Sequence, residues 1–99
     1  MFSIRQMGDF LVKLIKSRKL IKNNKNMNNK ILKYLQEDLI GELEAINQYQ
    51  EHIDDMNDDE AKKVLGHIRD DEKEHVAELV KIIRKLDATQ EEKFQKEEL

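Results

Sequence analysis

The chain has 99 residues, no Cys, no Pro, three Gly, five aromatic residues (three Phe, two Tyr) and a formal charge of −3. Zero Cys excludes disulfides, thiolate zinc sites, iron–sulfur clusters and cysteine catalysis, and the length allows one domain at most. The charge is uneven: residues 1–30 carry eight Lys/Arg against one Asp, net +7, and residues 31–99 carry ten against twenty Asp/Glu, net −10.

Abundant Leu, Ile, Glu and Lys without Pro predict helix throughout. So few aromatic residues predict a small core that oligomerisation completes. No apolar run approaches ~18 residues, which excludes a spanning helix.

Residues 1–29 read as a basic leader and linker. Met7, Phe10, Leu11, Leu14 and Ile15 have helical spacing, and Lys13, Lys16, Lys19 and Lys22 give a cationic side. One reading is a helix lying on a membrane or on an acidic partner; the other is an extension upstream of a start at Met27. The interrupting lysines fit a secretory signal poorly. Residues 23–29, Asn-Asn-Lys-Asn-Met-Asn-Asn, read as the linker, with Asn28 or Asn29 as N-cap.

Residues 30–88 read as an antiparallel hairpin of two helices. In the first, Leu35, Leu39, Glu42, Ile46, Tyr49, Ile53 and Met56 alternate spacings of four and three, a seam of period 3.5. Asn57 and Glu60 have capping-box spacing and predict a tight turn into the second helix. There Ala61, Leu65, Ile68, Glu72, His75, Leu79, Ile82 and Leu86 repeat the rhythm, with an end near Leu86 or Asp87. Residues 89–99 predict a short third helix, opened by a capping box at Thr89-Gln90-Glu91-Glu92 and anchored by Phe94 and Leu99.

Glu42, Glu72 and His75 are the ionisable exceptions on this apolar seam. Glu72 and His75, at i and i+3, share a helix face. Glu42 and Glu72 each lie about fifteen residues, ~22 Å of helix, from the Asn57–Asp58 turn, so the fold brings all three level. Buried seam charges need a partner or a metal. A Glu from one helix and a Glu-x-x-His from the other is half the ligand set of a carboxylate-bridged di-iron bundle. A two-fold dimer supplies four Glu and two His, donors suited to iron, manganese or zinc. The competing readings are a coiled-coil hairpin whose polar residues set register, and a shifted register with these groups solvated.

Tyr49, one heptad from Glu42, reads as a hydrogen-bonding or redox group near such a centre, or as a plain core residue. Gly41, beside Glu42, and Gly66, level with Tyr49, are candidates for close helix approach. His67, Asp71 and Glu74 share another face, either an outer cation site or, more simply, a solvated surface. His52 reads as a surface residue.

The blocks Gly41-Glu-Leu-Glu-Ala-Ile-Asn-Gln-Tyr49 and His67-Ile-Arg-Asp-Asp-Glu-Lys-Glu-His75, with the ungapped spacing between them, resemble the encapsulated ferritin family of the ferritin-like and rubrerythrin group. The resemblance covers about residues 30–88. It implies an all-α two-helix subunit that completes a four-helix bundle by dimerisation, with a di-iron ferroxidase centre at the dimer interface. It further implies a ring, such as a decamer, inside an encapsulin nanocompartment in the cytoplasm. The implied ligands are Glu42, Glu72 and His75 from both chains, with Tyr49 near the centre. Glu44 matches the iron entry region, and His67, Asp71 and Glu74 match positions that bind further cations. Gly41 stands where some relatives have an entry glutamate, Gln48 where some have an aromatic, and Asp71 where a glutamate is usual. No recognisable cargo-loading peptide follows Leu99.

The resulting expectation is a ferroxidase that binds two iron ions per dimer and oxidises Fe(II) with dioxygen, for iron storage or detoxification. The rivals are a peroxide-reducing protein of rubrerythrin type, which would lack an attached Cys-ligated iron site, and a metal-free helical scaffold. No nucleic-acid partner is expected, because residues 31–99 are acidic.

Overall fold

A computed structural model describes the backbone from residue 4 to residue 99 and finds no strand there. The side chains of residues 4–7, Phe10 and Ile21 lie outside the described set, so the expected stripe through Met7 and Phe10 is judged from Leu11, Leu14 and Ile15 alone. The helices are α1 (Ile4–Asp55), α2 (Asp59–Leu86) and α3 (Ala88–Lys96). By their contacts, residues up to Ile31 and residues Leu32–Leu99 are separate units.

In the first unit, Leu11, Val12, Leu14, Ile15, Leu20 and Met27 are exposed, as are Lys13, Lys16, Lys19 and Lys22. The Asn-rich stretch corrects one expectation: residues 23–29 are helical, and neither Asn28 nor Asn29 caps a helix start. Asn costs only a few tenths of a kcal/mol relative to better formers, and extending an existing helix avoids the nucleation cost. No Gly or Pro lies between Gly8 and Gly41 to stop it.

The second unit is the hairpin with its short third helix. Arg69 of α2 reaches Gln50 of α1, and His75 reaches Glu42. Position along α1 falls as position along α2 rises, so the helices are antiparallel. Residues 56–58 make the turn. Its cap is Asp58, one residue later than the capping-box spacing of Asn57 and Glu60 suggests: the Asp58 carboxylate accepts from the Ala61 N–H at 2.8 Å. A carboxylate there meets both the unpaired amides and the positive end of the helix dipole, and Asp59 and Glu60 add to it.

The period-3.5 seam is the half-buried face of the hairpin. Leu35, Leu39, Glu42, Ile46, Tyr49, Ile53 and Met56 of the first arm and Ala61, Leu65, Ile68, Glu72 and Leu79 of the second are all half-buried. Toward the end of α2 the seam opens, with His75, Ile82 and Leu86 exposed. Among the described residues Ile83 alone is buried, at 5% exposure. It lies off the seam, one turn before Asp87.

Asp87 joins the last two helices. Its N–H donates to Ile83 O at 2.9 Å, closing α2, and its carboxylate accepts from Gln90 N at 3.0 Å, opening α3. The capping box expected from Thr89 therefore sits two residues earlier. One extended residue (φ −116°, ψ 96°) serves both helix ends, leaving no room for a separate linker. Arg84 clamps α3: its Nε and Nη2 donate to the two Glu91 oxygens at 2.5 and 3.0 Å, and its guanidinium lies 4.5 Å from the Phe94 ring centroid. This pairing raises the Arg84 pKa and lowers that of Glu91, in each case chiefly through the shared hydrogen bonds. Glu98 at φ 60° ends the chain of helical bonds, with Glu98 N bonding Gln95 O and Leu99 N bonding Phe94 O, a Schellman cap. Leu99 is 71% exposed; its carbonyl, not its side chain, is held, by Arg84.

Candidate metal centre

The centre is built from a helix repeat and a hairpin register. Glu72 and His75 are one turn apart on α2, which stacks their side chains on one face. His75 Nδ1 lies 3.3 Å from Glu72 Oε2. Across the hairpin, Glu42 Oε1 lies 3.5 Å from the same nitrogen. One donor atom from each residue falls within 4.8 Å of the others.

These separations suit a shared cation. Donors about 2.0–2.2 Å from one metal stand roughly 3.0–3.5 Å apart when they are neighbours in its coordination sphere. The side chains of Glu72 and Glu42 are 19% and 26% exposed, and that of His75 is 49% exposed. The two carboxylates are thus drawn partly out of water beside one imidazole. Two anions this close repel by about 1–4 kcal/mol across the range of effective dielectric, a cost that a cation reverses. Oxygen and nitrogen donors together suit iron, manganese or zinc.

The three residues line an open groove of about 680 Å³ with Glu37, Asp38, Gly41, Ala45, Glu78, Leu79 and Ile82. Its floor is apolar and acidic at once, and its outer side is unfilled.

The other candidate residues are not gathered here. Tyr49 is half-buried about two turns along α1 from Glu42, ~10 Å of rise. Glu44 is exposed. His67 Nε2 and Asp71 Oδ2 are 3.6 Å apart on α2 with side chains 78% and 55% exposed, and Glu74 is exposed on the same helix. His52 is exposed, as expected. The glycines have a simpler role than close helix approach: a Cβ on Gly41 would meet nothing within 4 Å, and one on Gly66 only Arg69 Nη2 at 3.8 Å.

The EncFtn-like family model matches residues 14–98, nearly the whole chain. The chain belongs to the EncFtn-like family. Its curated relatives include the encapsulin nanocompartment cargo protein EncC of Myxococcus xanthus, 45% identical over 49 residues, which are 50% of this chain and 38% of that protein. The encapsulated ferritin-like protein of Rhodospirillum rubrum is 43% identical over 47 residues, 48% of this chain and 34% of its own. The cargo protein EncB of M. xanthus is 38% identical over 58 residues, 59% and 37% of the two chains. The chain thus spans under two-fifths of the length of these relatives. No solved structure matches it.

One feature of the site escaped the sequence reading, the Arg69–Gln50 hydrogen bond of 2.7 Å beside it. The signal was present, because Gln50 and Arg69 stand on either side of the turn much as Glu42 and His75 do. An Arg and a Gln at such positions match no metal or catalytic motif, so only the register gives them meaning.

Proposed function

We propose that two copies of this chain pair through the open side of the hairpin, complete a four-helix bundle and bind two iron ions per dimer, where Fe(II) is oxidised to Fe(III) by dioxygen. The observation that carries this reading is the convergence of Glu42, Glu72 and His75 to within 4.8 Å at the floor of an open groove. One chain offers three ligands; a two-fold axis along the groove doubles them to four Glu and two His. The exposed Ile82 and the half-buried seam give the second copy apolar surface to cover.

Iron is the substrate here: each Fe(II) gives up one electron, and dioxygen accepts electrons and protons. The protein's part is positional and electrostatic. Four carboxylates match the charge of two Fe(II) ions and stabilise Fe(III) further, which favours the oxidised product. His75 supplies a nitrogen donor to each metal. Tyr49, about two turns along α1 from Glu42, stands near the centre and not among its ligands. Glu44, and His67 with Asp71 and Glu74, serve as weaker cation sites on the approach.

The names of the relatives support a further step. Two are called encapsulin nanocompartment cargo proteins, so a ring of dimers, such as a decamer, within an encapsulin shell in the cytoplasm is the proposed setting. Iron oxidised there would be stored or detoxified.

Native mass spectrometry during anaerobic Fe(II) titration tests the centre, on the wild type and on Glu72→Ala. Two irons per dimer, lost in the variant, followed by Fe(II)-dependent oxygen uptake, are expected. Equal oligomers with no specific iron in either protein would leave a helical scaffold. Peroxide oxidising the reduced centre much faster than dioxygen would favour the rubrerythrin-type rival.

A further inference from the structure

We propose that Arg69 and Gln50 form a register clamp that holds Glu42 level with Glu72 and His75 when no metal is bound. The inference rests on the iron reading of those three residues and names positioning residues for it.

A seam of alternating four- and three-residue steps is nearly self-similar. The turn at residues 56–58 excludes a slip of a whole heptad, but Leu and Ile tolerate smaller slides and rotations of α1 on α2, so far from the turn apolar packing sets the register weakly and polar contacts commonly decide it. The ligands cannot do this in the metal-free chain. Glu42 and Glu72 are both anions, and their repulsion favours any slip that parts them. A slide of one residue's rise, ~1.5 Å, already disturbs donor atoms that lie within 4.8 Å of one another, and the turn stands about fifteen residues away from them along each arm. Something other than the ligands must therefore oppose it.

Arg69 is placed to do so. It precedes Glu72 by one turn on α2, and its side chain is only 23% exposed. Nη1 donates to Gln50 Oε1 at 2.7 Å, across the hairpin. Both partners are braced within their own helices. Arg69 Nε and Nη2 donate to Asp70 Oδ1 at 3.2 and 3.1 Å, and Gln50 Nε2 donates to Asp54 Oδ1 at 2.9 Å. The result is one polar line, Asp54–Gln50–Arg69–Asp70, running across the two helices beside the site. The guanidinium keeps its charge at all working pH, and its planar fork loses little freedom per bond formed. A lysine would keep the charge but lose the fork that reaches Asp70 and Gln50 together.

Two measurements on the full chain test the clamp, using wild type, Gln50→Ala, Arg69→Lys and Asp54→Asn. The first is the spin-label distance between Glu51→Cys and Lys63→Cys, exposed sites on facing arms. The chain has no native Cys to interfere, and excess unlabelled protein suppresses distances between copies. Without metal, wild type and Asp54→Asn are expected to give one narrow distance, and Gln50→Ala and Arg69→Lys a broadened one shifted by ~1.5–3 Å, one to two residues of rise. The second is Co(II) titration followed by its visible spectrum. Gln50→Ala and Arg69→Lys are expected to bind about tenfold more weakly, as suits loss of one hydrogen bond to a charged group, with an altered spectrum. Asp54→Asn, whose amide oxygen still accepts from Gln50 and leaves the Arg69 bond intact, is expected to bind as wild type does.

Unchanged distances in both clamp variants would overturn the proposal. So would lower thermal stability with wild-type Co(II) affinity and spectrum, since that is a merely structural bond. A wild type that binds Co(II) no better than Glu72→Ala would sink the iron reading itself, and the distances would then still decide the clamp.

Discussion

At the scale of single residues, the cluster places two carboxylates and an imidazole where hydrophobic side chains would stabilise the hairpin more. Glu42 shows the conflict best. Its side chain is 26% exposed and it faces His75 Nδ1 at 3.5 Å. Replacing it with the isosteric Gln removes one anion and keeps the shape. Glu42→Gln is expected to raise the stability of the metal-free protein by about 1 kcal/mol and to lower metal affinity at least tenfold. Thermal melts in strong chelator and a Co(II) titration check the two halves; a variant both less stable without metal and unchanged in affinity would contradict the reading. Such opposite effects on stability and binding mark a site whose residues are placed for a ligand rather than for the fold.

Helices and their ends make the next scale. Asp87 closes α2 and opens α3 in one residue, so α3 turns back at once to Arg84 of α2. What keeps it there is the Arg84–Glu91 pair with Phe94 stacked beneath the guanidinium. Glu91 has a lower pKa in the fold than in an unfolded chain, so its contribution is complete above the ordinary glutamate value of about 4.3 and is lost as pH falls through the depressed folded value. Arg84 has a raised pKa, so its contribution holds below its ordinary value and is lost only at extreme alkalinity. Acid is therefore the only practical window. Amide exchange of α3 is expected to speed up below about pH 4 while that of the α1–α2 seam lags behind; equal acceleration of both would show that the pair does not govern α3. Because the pair is solvent-accessible, its effect is small and weakens with salt.

For the whole molecule, the decisive feature is how little one chain buries. Ile83 alone is buried among the described residues, while Ile40, Leu43, Val64 and Ile82 are exposed. Small helical chains with this pattern gain their stability by association. The unfolding midpoint is therefore expected to rise with protein concentration, by the equivalent of about 1.4 kcal/mol per tenfold for a two-chain unit. A midpoint constant over a hundredfold range, read by circular dichroism, would mean the hairpin stands alone and would remove the basis for a shared centre.

Periodicity carried most of what was legible beforehand. The four-and-three spacing gave both hairpin arms and named Glu42, Glu72 and His75 as its exceptions, because side-chain direction on a helix follows from residue count alone. Counting from the turn was enough to bring those three level. Helix ends were read less well: Asp58 and Asp87 took the capping places assigned to Asn57 and Thr89, since several neighbouring polar residues can cap and local geometry chooses among them. The Asn-rich run could not be read as a break, because its weak propensity is outweighed once a helix is already growing. Only the tertiary structure decided that Arg69 meets Gln50, that His75 and Ile82 stand on an open groove and that α3 packs off the seam, because each depends on which faces meet across the hairpin, and no local pattern encodes that.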